Sequence, residues 1–242
     1  MKLNIERIRE AHDTARACLL AEREDGVFWR GRLSSSALAT ATAVSALFLV
    51  DPERFASLIA SGVRWLVTHQ NRDGGWGDTP DSPSNLATTM LVQAAFALAA
   101  GPVVVAESVE RAEEFLCRMA GTRERQRVES LLESYGSDRT FAVPILMNCA
   151  LARRVDWDDV PALPFELARL PRWSLSRLRL HVVSYALPAL IAIGQLVHRR
   201  RPTLNPVLAL LRETSITSTL DLLCHIQPRS GGFLEAAPLT SF

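Results

Sequence analysis

An all-α fold of repeated helix pairs is what this sequence predicts, and three features predict it. A spaced motif recurs, apolar runs alternate with amphipathic ones, and capping residues open each apolar run. The motif is clearest at Gln70-Asn71-Arg72-Asp73-Gly74-Gly75-Trp76, preceded by Trp65-Leu66. The frame returns 157 residues later, with Leu222-Leu223, Gln227, Gly231 and Phe233 in the matching places. A weaker copy lies 48 residues upstream, carried by Glu22, Asp25, Gly26 and Phe28. A frame reused in this way means a repeat architecture, in which each unit buries its apolar face against its neighbours.

The elements follow in order. Residues 5–21 and 52–70 carry Arg and Glu between apolar positions, the pattern of outer amphipathic helices. Residues 34–49 and 84–98 are Ala-rich and nearly uncharged, the pattern of inner helices buried on all sides. Ser34-Ser35-Ser36 and Ser84-Asn85 precede these runs, and such side chains accept the orphan N–H groups of a first turn. The serines are therefore caps rather than a nucleophile. One unit reads as outer helix, Gly-rich corner, inner helix, and a step of about 48 residues fits two helices of four to five turns with loops.

The corner has its own chemistry. Asp73-Gly74 is a turn dipeptide, and Gly74 and Gly75 permit positive φ and close backbone approach. Gln70 ends an outer helix, where its amide is expected to bond a backbone end of a neighbouring helix. Trp76 is expected to cover that contact with a flat apolar ring. Gln70, Asp73, Gly74, Trp76, Gln227, Gly231 and Phe233 are thus read as a structural repeat motif, not a catalytic one.

Composition excludes several classes. Net charge is +1, so no basic field argues for nucleic acid. Charged residues make up 22% of the chain, which does not read as disorder. Lys2 is the sole lysine among 27 basic residues, an arginine bias that points to a GC-rich, bacterial coding sequence. Cys18, Cys117, Cys149 and Cys224 stand singly, without disulfide or metal spacing, as expected in a reducing cytosol. His12, His69, His181, His198 and His225 pair with no ligand at metal spacing, so neither a metal nor a cofactor is expected. The N-terminus is charged and amphipathic, unlike a signal peptide. The longest apolar run, residues 182–197, is broken by Pro188 and Gln195 and followed by His198 and three arginines. Its first reading is a buried core helix with a basic C-terminal end. Its second is a helix dipping into one membrane leaflet.

Beyond the repeated frame, residues 134–146 (SYGSDRTFAVPIL), 160–168 (VPALPFELA) and 183–194 (VSYALPALIAIG) carry a resemblance to the squalene–hopene cyclases, the bacterial triterpene cyclases. The chain resembles the N-terminal part of such a protein over nearly its whole length. The resemblance implies an α/α toroid, with residues 1–242 forming the N-terminal barrel region of a longer protein. The corner opened by Gly231-Gly232-Phe233 is followed only by the approach to an inner helix, so the chain reads as truncated at its C-terminus. The resemblance further implies a monotopic protein at the cytoplasmic face of the cell membrane, an isoprenoid substrate such as squalene, and a missing C-terminal barrel or partner subunit. Its chemistry would be proton-initiated polyene cyclisation in hopanoid biosynthesis, with an Asp-x-Asp-Asp-Thr-Ala acid on the C-terminal barrel. Thr140, Phe141, Pro144 and Ile145, at the start of a helix that the resemblance places near the cavity between barrels, are its candidate substrate-binding residues.

Asp156-Trp157-Asp158-Asp159 matches part of that acid motif but is followed by Val160-Pro161, in a Pro-punctuated loop after a helix end. It reads as a solvated acidic loop. No catalytic residue is therefore assigned, and the chain alone is expected to be inactive. Glu166 is either a buried acid or a residue that caps a helix or pairs with a nearby Arg. The alternative to a cyclase segment is a non-catalytic toroid that binds an isoprenoid lipid or docks a partner subunit. A prenyltransferase-like subunit would need zinc ligands, which the sequence does not offer.

Overall fold

A computed structural model describes residues 4–31, 33–136, 141–169, 187–233 and 237–241. The chain divides into two compact units, Met1–Ser35 and Ser36–Phe242. The first contains α1 (Ile5–Ala21), capped by Asn4, whose Oδ1 accepts from Glu6 N at 3.0 Å. None of its residues is buried. A two-stranded hairpin follows, β1 (Arg23–Glu24) against β2 (Phe28–Trp29), with Glu24 opposite Phe28.

This hairpin corrects one expectation. The weak upstream copy of the motif does not build a corner between helices. Asp25 (φ 52°) and Gly26 (φ 66°) are both left-handed, so the chain reverses within a tight turn closed by Val27 N to Glu24 O at 3.1 Å. Phe28 is 44% exposed rather than packed, and Glu22 has no amide with which to clamp a neighbour.

Among the described residues the regular structure of the second unit is all helical. Helix α2 (Ala37–Val50) opens where Ser36 Oγ accepts from Ala39 N at 3.1 Å. Helix α4 (Leu86–Ala99) opens where Asn85 Oδ1 accepts from Thr88 N at 2.8 Å. Both caps are the residue types the sequence predicts there. Helix α3 (Ala56–Thr68) lies inside the expected outer segment and buries Ile59, Val63 and Leu66 at the spacing of one face. The next outer helix, α5 (Pro102–Ala120), starts with Pro in its first turn, where the missing N–H costs nothing, and stops at Gly121 (φ 88°). Helices α6 (Glu124–Tyr135) and α7 (Ala142–Leu151) complete the next pair.

The inner helices share the core. Helix α4 is buried from Ala87 through Phe96, and α7 from Ala142 through Ala150. Helix α2 packs on α4 and on α3, and Ser45 Oγ of α2 donates to Asn148 Oδ1 of α7 at 3.2 Å in the interior. The expectation of uniform burial holds less well for α2, whose last turn leaves Leu49 and Val50 exposed.

A second cluster joins two short 3-10 turns (Trp157–Asp159 and Phe165–Arg169) with α8 (Leu187–Arg200) and α9 (Pro206–Ile226); α10 (Ala237–Ser241) follows. Helix α8 buries Ile191, Ile193, Gly194, Gln195, Val197 and His198, so over its described length it packs as a core helix with a basic end. Residues 182–186 of that expected helix lie outside the described residues. Helix α9 inverts the usual pattern. Its buried residues are Arg212, Ser215 and Thr219, while Val207, Leu210, Leu211 and Leu220 face solvent.

Candidate functional site

The corner at residues 70–76 is the best-defined local structure. Gln70 Nε2 donates to Gly74 O at 2.7 Å, closing the corner on itself, and to Ser108 O of α5 at 2.8 Å, tying one outer helix to the next. The expected partner was a helix end; the actual one is a carbonyl inside α5, reached because Gly74 lies against that helix. A Cβ on Gly74 would sit 2.3 Å from Arg111 O, and its φ of 91° disfavours any other residue. Asp73 Oδ1 accepts from Gly75 N at 3.1 Å and Ser84 Oγ at 2.7 Å, which orders the turn into α4.

Trp76 is 1% exposed. Its Nε1 donates to Leu66 O at 2.9 Å and its ring meets Phe96 edge-on at 5.9 Å, so it fixes the end of α3 to α4. The distal copy repeats the core of this geometry. Gln227 Nε2 donates to Gly231 O at 2.7 Å, and Gly231 is left-handed at φ 83°. Phe233 N donates to Thr240 Oγ1 at 3.0 Å as Trp76 N does to Thr89 Oγ1 at 3.1 Å.

Phe141 precedes α7 and is 49% exposed, whereas Pro144 and Ile145 lie inside its buried run. Ile145 belongs to the main core. Thr140 lies outside the described residues. The structure therefore brings Pro144 and Ile145 together in packed interior, with Phe141 at its edge.

The acidic motif forms a 3-10 turn capped by its own first residue, with Asp156 Oδ1 accepting from Asp158 N at 2.8 Å. Asp156 and Asp158 are exposed, and the Asp158 side chain, 81% accessible, lies 3.6 Å from Arg201 Nη1. Glu166 is buried, and Arg212 Nε donates to its Oε2 at 3.2 Å. It is thus the Arg-paired carboxylate of the two readings. Beside this pair, Arg169 Nη1 donates to Ser215 Oγ at 3.3 Å and Gln195 Nε2 to Thr219 Oγ1 at 2.8 Å. These bonds explain why α9 turns a polar stripe inward.

A polar node that the sequence reading missed sits between α4, α5, α6 and α7. Glu113 receives both Nη groups of Arg127, takes a bond from Gln93 Nε2 at 3.3 Å, and lies 3.7 Å from Arg154. The Arg127 hydrogen bond, opposed by burial and aided by Gln93 and by the charges of Arg127 and Arg154, holds the Glu113 carboxyl below its ordinary 4.5. Cys149, buried below this node, is pushed up to about 12 by burial and remains a thiol. No periodic signal marks such a node, because its members come from three separate helices and the turn that follows α7.

Two further cavities matter for chemistry. One, of about 420 Å³, is walled by apolar residues including Phe48, Ile59, Val63, Ala100 and Val104, with Arg64 at its edge. The other is polar and lies at the end of α7. Among the described residues no three His, Cys, Asp or Glu side chains are grouped to hold a metal, and no helix is long and apolar enough to cross a membrane.

Outer and inner helices in alternation, tied by Gln–Gly corners, define an α-helical repeat protein of the toroid type. The squalene-hopene cyclase N-terminal domain model matches residues 12–219, and the chain belongs to that family. Among curated proteins, enfumafungin synthase of Hormonema carpetanum is 32% identical over 148 residues. That stretch is 61% of this chain and 9% of that protein, so the chain spans a small part of the relative it matches. No solved structure matches.

Proposed function

We propose that this chain is the N-terminal scaffold of a triterpene cyclase that carries out proton-initiated cyclisation of an isoprenoid such as squalene, within hopanoid biosynthesis in a bacterium. The observation that carries this reading is the family match across residues 12–219, combined with corners whose bonds serve packing alone. In this reading the chain contributes channel wall through the start of α7, at Phe141 and the neighbouring Thr140 with Pro144 and Ile145 packed behind them, while the proton donor lies in a C-terminal barrel or a partner subunit. The outward apolar stripe of α9 supports such a companion, since Val207, Leu210 and Leu211 lie on one exposed face.

The reading also includes peripheral attachment to the cytoplasmic face of the membrane. The apolar cavity beneath α2 and α3 supports it, together with exposed Leu49, Val50, Leu58, Val103 and Val104 on the elements that wall it. Isomerase activity of the whole protein follows from the same proposal.

A second reading, a toroid that binds an isoprenoid or a partner without catalysing anything, rests on a specific observation. Among the described residues Glu166 is the one buried carboxylate, and Arg212 Nε donates to it at 3.2 Å. An acid that protonates an alkene must be kept neutral and unpaired.

The experiment is product analysis from squalene with residues 1–242 alone and with the whole protein. Residues 1–242 should form no cyclic product, and the whole protein should form one. Asp158→Asn and Asp159→Asn in the whole protein should leave turnover unchanged, because the turn that carries them is solvated. Loss of turnover in Asp158→Asn with the fold intact would make that turn the acid. Absence of product from the whole protein would favour the non-catalytic reading.

A further inference from the structure

We propose that the polar cavity at the C-terminal end of α7 is a binding site for a small oxyanion of the phosphate or diphosphate class, held by Arg153 and Arg154 beside the first turn of α6. The cavity measures about 190 Å³, several times the roughly 30 Å³ of one water. Its polar wall consists of Gln93, Thr122, Glu124, Arg127, Arg153 and Arg154.

Three arginines and one acid, Glu124, thus line the cavity, and the commitments of the arginines differ. Arg127 is used up, with both Nη groups on Glu113 and its Nε donating to Gly121 O at 3.2 Å. Arg154 gives one Nη2 bond to Gln93 Oε1 at 3.1 Å and lies at 3.7 Å from Glu113, which leaves most of its five donors free. Arg153 is exposed and forms no ion pair with a described residue. Glu124, the one acid of the wall, turns its Oε1 to Asp156 N at 2.9 Å. The cavity therefore carries net positive charge, and the positive end of α6 adds to it.

The backbone at Arg153 strengthens the argument. Helix α7 ends in a Schellman pair, Arg154 N to Cys149 O at 2.8 Å and Arg153 N to Ala150 O at 3.0 Å. That motif puts Arg153 in the left-handed region at φ 57°, where glycine is the ordinary and cheaper occupant. An arginine there gains nothing from packing or from an internal ion pair. What it gains is position, because Arg153 lines the cavity next to Arg154. Two such forks suit the oxygens of a phosphate or diphosphate, each able to take two parallel bonds. A hydrocarbon offers these groups nothing, so the site lies apart from the proposed cyclisation. Its ligand comes either from solution or from a lipid headgroup.

The test is calorimetric titration of the chain with inorganic phosphate and inorganic diphosphate. In parallel, the chain is co-sedimented with phosphatidylcholine vesicles with and without phosphatidic acid. Saturable binding of one soluble ion, or recruitment that depends on phosphatidic acid, is expected; the arm that responds names the source. Arg153→Gly should weaken that binding about tenfold. It should leave the melting temperature unchanged or raised, because glycine suits φ 57°. Glu124→Gln should tighten binding by removing the one opposing charge in the wall. The proposal is overturned if neither soluble ion nor phosphatidic acid binds, or if Arg153→Gly binds like the parent.

Discussion

Replacing Trp76 by Ala should unfold the corner first and most. The ring is 1% exposed, so it removes about 200 Å² from water, worth about 5 kcal/mol at roughly 25 cal/mol per Å². Alanine keeps part of that area, and the unfolded chain already hides some of it, which brings the expected loss to about 4 kcal/mol. The stripped Leu66 carbonyl adds little, because it also accepts from His69 N at 3.3 Å. Trp76→Phe keeps a packed ring but loses the indole N–H and leaves a small cavity, so its cost should be about 2–3 kcal/mol. Phe233→Ala, at the half-buried distal copy, should cost roughly 1 kcal/mol. Urea unfolding followed by helical circular dichroism at constant m gives all three numbers. If Trp76→Ala unfolds at the parental midpoint, or if Phe233→Ala costs as much, the proximal corner is not the clamp argued here.

Gly74→Ala should cost more than about 1 kcal/mol, since a φ of 91° and the Arg111 carbonyl both oppose a methyl group; the same urea assay measures it. Arg212→Met should cost about 3–5 kcal/mol by stripping the buried Glu166 of its partner, and the double variant with Glu166→Met should recover most of that loss. Recovery in the double variant separates an ion pair from simple packing. Glu113→Gln tests the polar node by pH. The Glu113 carboxyl titrates below its ordinary 4.5, so its contribution is complete above that pH and disappears as pH falls through the lower folded value. The stability gap between parent and Glu113→Gln should therefore hold at neutral pH and close under acid; a gap that widens below pH 4.5 would reverse the sign of the argument.

Legibility in the sequence followed the range of the interaction. Ser36 and Asn85 announced the starts of α2 and α4, because a cap bonds an N–H only three residues away. The Gln70–Gly74 and Gln227–Gly231 bonds span four residues each, so a fixed spacing could reveal them. The Gly26 copy shows the limit of spacing alone. Without the glutamine amide, and with Asp25 also left-handed, the same frame folds as a hairpin. The candidate site was less legible. Glu166 was readable as a paired acid, but its partner Arg212 lies 46 residues on. The exposure of the acidic turn followed from its prolines and charges.

The chain by itself thus determined the helix pairs, the caps and the corners, all of them contacts within one or two turns. Tertiary structure alone decided which carbonyl of α5 Gln70 reaches, why α9 buries Arg212, Ser215 and Thr219, and where Glu124, Arg127, Arg153 and Arg154 meet around one cavity. The physical reason is that periodicity records burial averaged along a helix face. A hydrogen bond between helices depends on their mutual position, which no local spacing encodes.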